Sequence, residues 1–287
     1  YAFDDDHGGA GRDPPDVARP RSTAPIRGLR MMQPNDAIVA RMMTSRTRGT
    51  KIPPLSDDEP LSLDRGYQIQ DAYRATLLAQ GKTLVGWKLA ATGPVGREAL
   101  GVEEPIYGFL FPGCYDDGDT VSRSAFVDLH TEAEIAFRMG EALSGPGVEA
   151  SDARRAIECG LPALELPDIP FTEIPPAADM IANSALGGAI MIGAPVDLVM
   201  DHNLVEEEIV FTRNGNHVST TYGADIMDDP FNAVAWLANR LGAKGETLKP
   251  GDIVMTGGIS TLIRPDAGDT VEARFSSLGR ITMKVVD

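Results

Sequence analysis

Two glutamates, Glu132 and Glu134, stand two residues apart in the sequence TEAEIAF, which has the composition of a β-strand. Side chains alternate between the two faces of a strand, so both carboxylates are expected on one face. Ile135 and Phe137 then point the other way, into a core. Carboxylates that neighbour each other on a sheet repel. The pair should therefore either face solvent or bind a hard cation such as Mg²⁺, Mn²⁺ or Ca²⁺.

A third glutamate, Glu165, carries the one charge in the apolar sequence LPALEL. Burying a carboxylate there without a partner is costly. Backbone donors or a salt bridge could satisfy it, but a metal ion shared with Glu132 and Glu134 explains all three residues together. Three carboxylates leave coordination positions open for a bidentate substrate and water, as in a catalytic metal site. We therefore predict that Glu132, Glu134 and Glu165 hold one divalent metal ion.

Lys88 is another candidate, because it lies in the otherwise uncharged sequence LVGWKLAATG. In one interpretation the lysine reaches water from the edge of a sheet. In the other it is desolvated, which lowers the pKa of its amine and lets it act as a base or a hydrogen-bond donor. The local sequence favours neither interpretation over the other.

Two polar segments are predicted to contact a substrate. Asp179 and Asn183 share a face if the sequence AADMIAN is helical, although a plain helix followed by a glycine-rich turn explains them equally well. Thr256 and Gly257 follow a predicted strand, in a turn whose free backbone amides suit an anion. These four residues are the predicted substrate-binding set.

These groups need a scaffold, and the surrounding sequence predicts helices first and strands afterwards. Apolar residues recur at helical spacing before residue 80, and from residue 84 onward short β-type sequences alternate with Gly, Pro and Asp breaks. We predict an α+β protein with a β-rich core and one long, strongly curved mixed sheet. The predicted helices cover residues 34–49, 64–80, 152–159 and 230–241.

Three regions are expected along the chain. Residues 1–32 have little apolar surface to bury and are predicted to form an extended N-terminal arm. Residues 33–82 are predicted to form a small helical region, and residues 83–287 the catalytic core. All of the candidate site residues fall in this last region.

The composition and net charge of the chain narrow the range of expected partners and locations. The 287 residues carry a formal net charge of -16, so the surface repels phosphate backbones and nucleic acid is not an expected partner. No apolar run reaches the roughly 18 residues of a membrane span. The two cysteines, Cys114 and Cys159, have neither disulfide-framework nor metal-ligand spacing, which favours a reducing cytoplasm. An anionic substrate would need a local positive charge, which a bound cation provides.

The order and spacing of these pieces resemble the fumarylacetoacetate hydrolase superfamily. Within it, they are most similar to the branch of 2-keto-4-pentenoate hydratase and 4-oxalocrotonate decarboxylase. The resemblance covers the chain from about residue 64 to the C-terminus. The matching pieces are Gly86-Trp87-Lys88, residues 105–110, Glu132-Ala133-Glu134, Ala163-Leu164-Glu165, Asp179 with Asn183, residues 233–239 and residues 248–257.

The resemblance implies a β-roll-like, partly barrel-shaped domain that forms homo-oligomers. It implies Mg²⁺ or Mn²⁺ on the three glutamates, a catalytic lysine at Lys88, and a small 2-oxo acid as substrate. The expected activity is that of a Mg²⁺-dependent hydratase, which converts a 2-hydroxypenta-2,4-dienoate-type substrate to a 4-hydroxy-2-oxo acid. Decarboxylation of the 4-oxalocrotonate type and C–C hydrolysis of an acylpyruvate or fumarylacetoacetate type stay open, because they need the same stabilisation of an enolate-like charge.

Two positions depart from the family pattern. Pro170 stands where relatives carry arginine, and Asn183-Ser184 stands where they carry Asp-Asn. The metal prediction does not depend on these positions, but the choice of substrate and reaction does. A protein of another class, in which the acidic cluster binds Ca²⁺ only for structure, is disfavoured because the sequence has no aspartate-rich calcium loop.

Overall fold

The computed structural model describes residues 34–111, 113–198, 202–258 and 260–287, and the predicted arm over residues 1–32 lies outside them. The described part is a mixed α+β fold. Its helices are α1 (Asn35–Arg48), α2 (Leu63–Ala79), α3 (Pro94–Leu100), α4 (Ala150–Ala156), α5 (Ala177–Ala182) and α6 (Pro230–Gly242). Its strands are β1 (Gly86–Ala90), β2 (Ile106–Leu110), β3 (Cys114–Asp116), β4 (Thr120–Ser122), β5 (Glu132–Met139), β6 (Ile157–Leu166), β7 (Ala189–Ile192), β8 (Glu208–Arg213), β9 (Asn216–Tyr222), β10 (Ile253–Met255), β11 (Thr270–Phe275) and β12 (Gly279–Val286).

The strands form two sheets. A seven-stranded sheet has the order β2-β1-β10-β5-β6-β7-β3, and a five-stranded sheet has the order β4-β12-β11-β8-β9. The larger sheet is mixed, because β1 runs parallel to β10 while β5 runs antiparallel to both β10 and β6. It curls into a half-barrel, which confirms the predicted α+β class and the strongly curved sheet.

Alternation along the strands gives the larger sheet two different faces. The face that carries Ile135 and Phe137, called here the core face, joins the main hydrophobic core, and the Phe137 ring stacks on Phe231 of α6 at 5.2 Å. The same core includes Phe211 and Met283 of the smaller sheet, so the two sheets pack through it. The opposite face, called here the site face, has a smaller apolar core. Its members are Leu110, Ala136, Cys159, Leu161, Ala163, Ile190, Ile253 and Met255.

The first two helices begin and end within one residue of the predicted bounds. Ser62 caps α2, because its hydroxyl accepts a hydrogen bond from the Arg65 backbone N–H at 3.1 Å. Tyr73 of α2 packs edge-on against Phe109 of β2, with ring centroids 5.6 Å apart. Both helices thus share the main core with the sheet. The division between a helical region and a core at residues 82–83 stays a prediction.

One predicted helix is partly wrong. The sequence predicts a helix over residues 152–159, whereas α4 ends at Ala156 and Cys159 lies in β6. The reason is tertiary: Ile157 and Cys159 pair with Met139 and Arg138 of β5, so the chain extends as soon as it reaches the sheet.

Both cysteines are free thiols. Within the described residues, none of the helices has the length and apolar character needed to cross a bilayer.

The pairing of β1 with β10 leaves no room for a side chain at Gly86. This residue has φ +154°, and a Cβ atom there would lie 1.9 Å from the carbonyl oxygen of Ile253. Neither strand can move away from the other without breaking the parallel β1–β10 pair, and Lys88 lies on β1. Gly81 also has a positive φ of +78°, but a Cβ atom there would meet nothing within 4 Å.

The two glycines give a matched test of this packing. Gly86→Ala should lower the free energy of unfolding by about 3 kcal/mol or more, because backbone atoms must separate. Gly81→Ala adds only left-handed strain and should cost about 1 kcal/mol. Urea titrations followed by circular dichroism measure both values. Equal losses for the two variants would contradict the proposed close contact.

Candidate functional site

Strand register brings the three predicted glutamates together. Glu132 of β5 lies directly opposite Glu165 of β6, and Glu134 lies two residues further along the same face. One carboxylate oxygen from each residue lies within 4.8 Å of the others. The candidate site is therefore a cluster of three carboxylates on the site face, at the centre of the larger sheet.

Burial and mutual repulsion change the ionisation of this cluster. Glu134 and Glu165 are fully buried, while Glu132 is half-buried and connects the cluster to solvent. Burial and the nearby charge of Glu165 raise the pKa of Glu132 from 4.5 to about 8, against the opposing charge of Lys88. The pKa of Glu134 rises well above its ordinary value, because of burial and the charges of Glu165 and Glu132. Without a cation, these carboxyl groups therefore tend to keep protons.

Lys88 joins the same cluster. Its register places it on the site face, since it pairs with Met255, which in turn pairs with Ala136. The side chain is buried, and Nζ lies 2.6 Å from Glu165 Oε1 and donates a hydrogen bond to the carbonyl oxygen of Ala185 at 2.8 Å. The lysine is therefore desolvated and does not reach water from a sheet edge.

The expected direction of the Lys88 pKa shift is wrong. Burial alone lowers the pKa of the amine, as the sequence suggested. The charges of Glu165, Glu134 and Glu132 act in the opposite direction, and together they raise the pKa above its ordinary value. Without a cation in the cluster, Lys88 therefore stays an ammonium group, which donates hydrogen bonds and is not a ready base.

The turn after β10 binds the chain's own carboxylate. The Gly257 backbone N–H donates a hydrogen bond to Glu134 Oε2 at 2.8 Å, and the buried Thr256 hydroxyl donates to the Ile135 carbonyl oxygen at 2.8 Å. The expectation that this turn offers free amides is therefore corrected at Gly257. A Cβ atom at Gly258 would lie 2.0 Å from Glu132 Oε2, so the turn passes directly beside the cluster.

Asp179 and Asn183 are buried and contact the N-terminal part of the described chain. The backbone N–H of Ser56 donates to Asp179 Oδ1 at 2.9 Å. Asn183, which follows the last residue of α5, accepts from Arg46 Nη2 at 2.7 Å and donates to Met42 Sδ at 3.3 Å. Their side-chain hydrogen bonds thus go to residues 42–56 rather than to the carboxylate cluster. Roles in substrate binding stay predictions for both residues, as they do for Thr256 and Gly257.

The cluster fits a divalent metal ion. Glu134 Oε1 and Glu165 Oε2 are buried and have no hydrogen-bond partner within the described residues. Carboxylate oxygens are the ligands that Mg²⁺, Mn²⁺ and Ca²⁺ prefer. Three carboxylates and the Lys88 ammonium leave a formal charge of -2, which one divalent cation neutralises. Glu132, Glu134 and Glu165 could therefore hold such an ion.

Two further residues were not predicted, one beside the turn at Gly257 and one that contacts Asn183. Thr92 follows β1; its hydroxyl is buried and unpartnered in the described part of the chain, and a Cβ atom at Gly257 would lie 2.5 Å from it. Nothing in the local sequence marks this threonine. Arg46 did leave a signal, because it lies four residues after Met42 and so shares the apolar face of α1 with a buried residue.

Comparison with known proteins gives consistent matches. The family model described as fumarylacetoacetate (FAA) hydrolase C-terminal matches residues 102–286. The chain is 32% identical to "TodF product hydratase" of Pseudomonas putida F1, over 77% of this chain and 83% of that protein. It is 28% identical to "2-keto-4-pentenoate hydratase 1" of Dechloromonas aromatica RCB, over 86% and 95% of the two chains. The solved structure of 4-oxalocrotonate decarboxylase from Pseudomonas putida G7, complexed with magnesium and adipate, has a TM-score of 0.84 at 27% identity, over 89% and 99%.

The raised pKa values make metal binding a proton-exchange reaction. A cation that binds the cluster must displace the protons held by Glu132 and Glu134. Affinity for Mn²⁺ should therefore rise as the pH increases toward about 8, the pKa of Glu132, by roughly tenfold per pH unit for each proton displaced. Calorimetry in buffers of different ionisation enthalpy counts these protons. An affinity that does not change between pH 6 and about 8 would contradict the raised pKa values.

The same shift predicts how the metal-free protein responds to pH. A carboxyl group whose pKa is higher in the folded state stabilises the fold fully below its unfolded pKa. This contribution is lost as the pH rises from about 4.5 through about 8. Mn²⁺ should therefore raise the melting temperature more at the upper end of this range than at the lower end.

Proposed function

Because this chain belongs to the fumarylacetoacetate hydrolase family, we propose that it is a Mg²⁺- or Mn²⁺-dependent hydratase of a small 2-oxo acid. The proposed substrate is a 2-hydroxypenta-2,4-dienoate-type acid, and the product is a 4-hydroxy-2-oxo acid. The observation that carries the proposal is the convergence of Glu132, Glu134, Glu165 and Lys88 on one face of the sheet. Two relatives that align with most of this chain are named as hydratases.

The metal ion, when bound to the three glutamates, supplies positive charge that attracts the acid and stabilises an enolate-like charge at C2. In the proposed reaction a proton is added at C5 of the dienol and the C2 hydroxyl proton leaves, which gives a 2-oxo-3-enoate. Water then adds its hydroxyl group at C4 and a proton at C3. The two steps together add one molecule of water.

Lys88 is proposed to hold and transfer a proton in this reaction. Its ammonium is buried beside Glu165, so a substrate oxygen near the cluster would meet a desolvated hydrogen-bond donor. Burial lowers the pKa of the amine and the three neighbouring carboxylates outweigh it, so the metal-free site keeps the ammonium protonated. A cation on those carboxylates would offset their charge and ease release of the proton. Glu132, which is half-buried, lies at the side from which substrate and water would enter.

Decarboxylation is the second candidate. The solved structure with a TM-score of 0.84 is a 4-oxalocrotonate decarboxylase, and at 27% identity it is about as similar to this chain as the second hydratase is. The same enolate-like charge develops when a 2-oxo-3-enedioate loses its distal carboxylate as CO₂, because the electron pair of the broken bond delocalises through the alkene onto the C2 oxygen. A homo-oligomer and a cytoplasmic location are proposed as well, on the resemblance and on the two free cysteines.

A substrate screen separates the candidate reactions. The purified protein is mixed with 2-hydroxydienoates, oxalocrotonate and acylpyruvates, in the presence of Mg²⁺ or of EDTA. Hydration removes the dienoate absorbance without releasing CO₂, decarboxylation releases CO₂, and C–C hydrolysis yields two acids. Turnover that is unchanged by EDTA would refute the metal-dependent proposal.

Glu134→Gln tests the metal site. Glutamine keeps an oxygen that can accept the Gly257 hydrogen bond, so the fold should be retained. Loss of one charged ligand should weaken Mn²⁺ binding and turnover by more than about 100-fold, since even residues that only support metal ligands contribute 10–100-fold. Glu158→Gln is the matched control, because Glu158 is an exposed glutamate on the same strand as Glu165. Equal metal affinity in the two variants would exclude Glu134 as a ligand.

Lys88→Met tests the proton donor. The rate should fall by about 100-fold or more, the usual contribution of acid–base catalysis. Affinity for Mn²⁺ should stay the same or increase, because an ammonium that competes for Glu165 has been removed. Lys244→Met, which removes an ion pair with Asp71, is the control. If the Lys88 variant retains the wild-type kcat, the lysine has no part in the reaction.

A further inference from the structure

The turn that follows α5 holds Lys88 in place. Ser184, Ala185 and Leu186 have φ values of 57°, 50° and 61°, so three consecutive residues with side chains adopt the left-handed conformation. This conformation is unfavourable for each of them and persists only when neighbouring groups hold it. The Ala185 carbonyl oxygen, in the middle of the turn, accepts the 2.8 Å hydrogen bond from Lys88. The position of the ammonium therefore depends on this turn.

Arg46 of α1 binds both ends of the turn. Its guanidinium donates to Asn183 Oδ1 at 2.7 Å and to the Gly187 carbonyl oxygen at 2.9 Å, which lie directly before and after the three left-handed residues. It also donates to Asp168 Oδ2 at 2.6 Å, and it lies over the Phe111 ring at 5.0 Å. A planar guanidinium presents several donors in fixed directions, which a lysine cannot do.

Asp168 connects this network to the segment that precedes β5. Its backbone N–H donates to the Leu186 carbonyl oxygen at 3.0 Å, inside the turn. Its Oδ1 accepts hydrogen bonds from the backbone N–H groups of Val127 and Asp128, both at 2.9 Å. The Asp168 side chain is only 5% exposed, so its charge needs the Arg46 partner.

We propose that Arg46 is a positioning residue for the reaction. It holds the 184–186 turn at both ends, and through the Ala185 carbonyl it fixes the Lys88 ammonium beside Glu165. The kinetic part of this inference rests on the proposed function, whereas the physical coupling from Arg46 to Lys88 does not. A displacement of about 1 Å in a catalytic group can lower a rate by about 100-fold.

The experiment compares Arg46→Met and Arg46→Lys with the wild type. Arg41→Met is the matched control, because Arg41 lies on the same helix and forms an ion pair with Asp58, away from the turn. Hydrogen exchange of residues 184–188 and the acetylation rate of Lys88, both followed by mass spectrometry, report the coupling without any substrate. Steady-state kinetics with Mg²⁺ then give kcat and KM per folded site, counted by Mn²⁺ binding.

Arg46→Met should increase exchange in the turn and acetylation of Lys88, and lower kcat by about 100-fold while KM changes by no more than about twofold. Arg46→Lys can still pair with Asp168 but cannot reach both ends of the turn, so it should give intermediate values. The lysine variant also decides the question if Arg46→Met does not fold.

Three outcomes have distinct meanings. Unchanged exchange and unchanged acetylation in both Arg46 variants would overturn the coupling. Increased exchange with a wild-type kcat would overturn the positioning role and leave Arg46 as a structural residue. If the wild type converts none of the 2-oxo acids, the proposed function fails, but exchange and acetylation still decide whether Arg46 controls Lys88.

Discussion

Three carboxylates and one ammonium are buried against one another on a single face of the sheet, and this concentration of charge constrains everything around it. Removing an ion from water costs on the order of several kcal/mol even after the protein relaxes. Lys88 compensates one of the three carboxylates, at a distance of 2.6 Å from Glu165. The remaining charge is partly offset by protons, as the raised pKa values of Glu132 and Glu134 indicate. A divalent cation would replace those protons. Metal ions and protons therefore compete for the same carboxylates, and metal affinity falls as the site holds more protons.

The geometry of the cluster is fixed by apolar packing on the opposite face. Ile135 and Phe137 alternate with the glutamates along β5 and are fully buried in the main core. A shift of one residue in the register would place Glu132 and Glu134 in that core and the apolar residues in the site. The hydrophobic effect thus holds the carboxylates together against their repulsion, and the register with β6 brings Glu165 opposite Glu132.

Patterns confined to one segment were enough to predict much of this arrangement. The alternation in TEAEIAF gave the strand and its two faces, and the isolated charge in LPALEL gave Glu165. The desolvated alternative for Lys88 implied a lowered pKa, and that direction is wrong because the carboxylates that raise the pKa lie on β5 and β6, far away in the sequence. The hydrogen bond from Gly257 to Glu134 has the same origin, because only the fold brings the turn and the strand together.

Metal chemistry alone cannot separate hydration from decarboxylation, because both need stabilisation of the same enolate-like charge. What differs is where a proton is delivered and whether water reaches C4. Those properties belong to the residues around the carboxylates, and in this chain several of these residues lie outside the strands that carry the three glutamates. Among the described residues, Thr92 has a buried hydroxyl without a hydrogen-bond partner, beside the turn that binds Glu134. The 184–186 turn accepts the hydrogen bond of the Lys88 ammonium. The N-terminal helix α1 reaches that turn through Arg46, so the helical region and the sheet meet beside the proposed proton donor, Lys88. The choice of reaction is therefore expected to depend on this junction more than on the three glutamates.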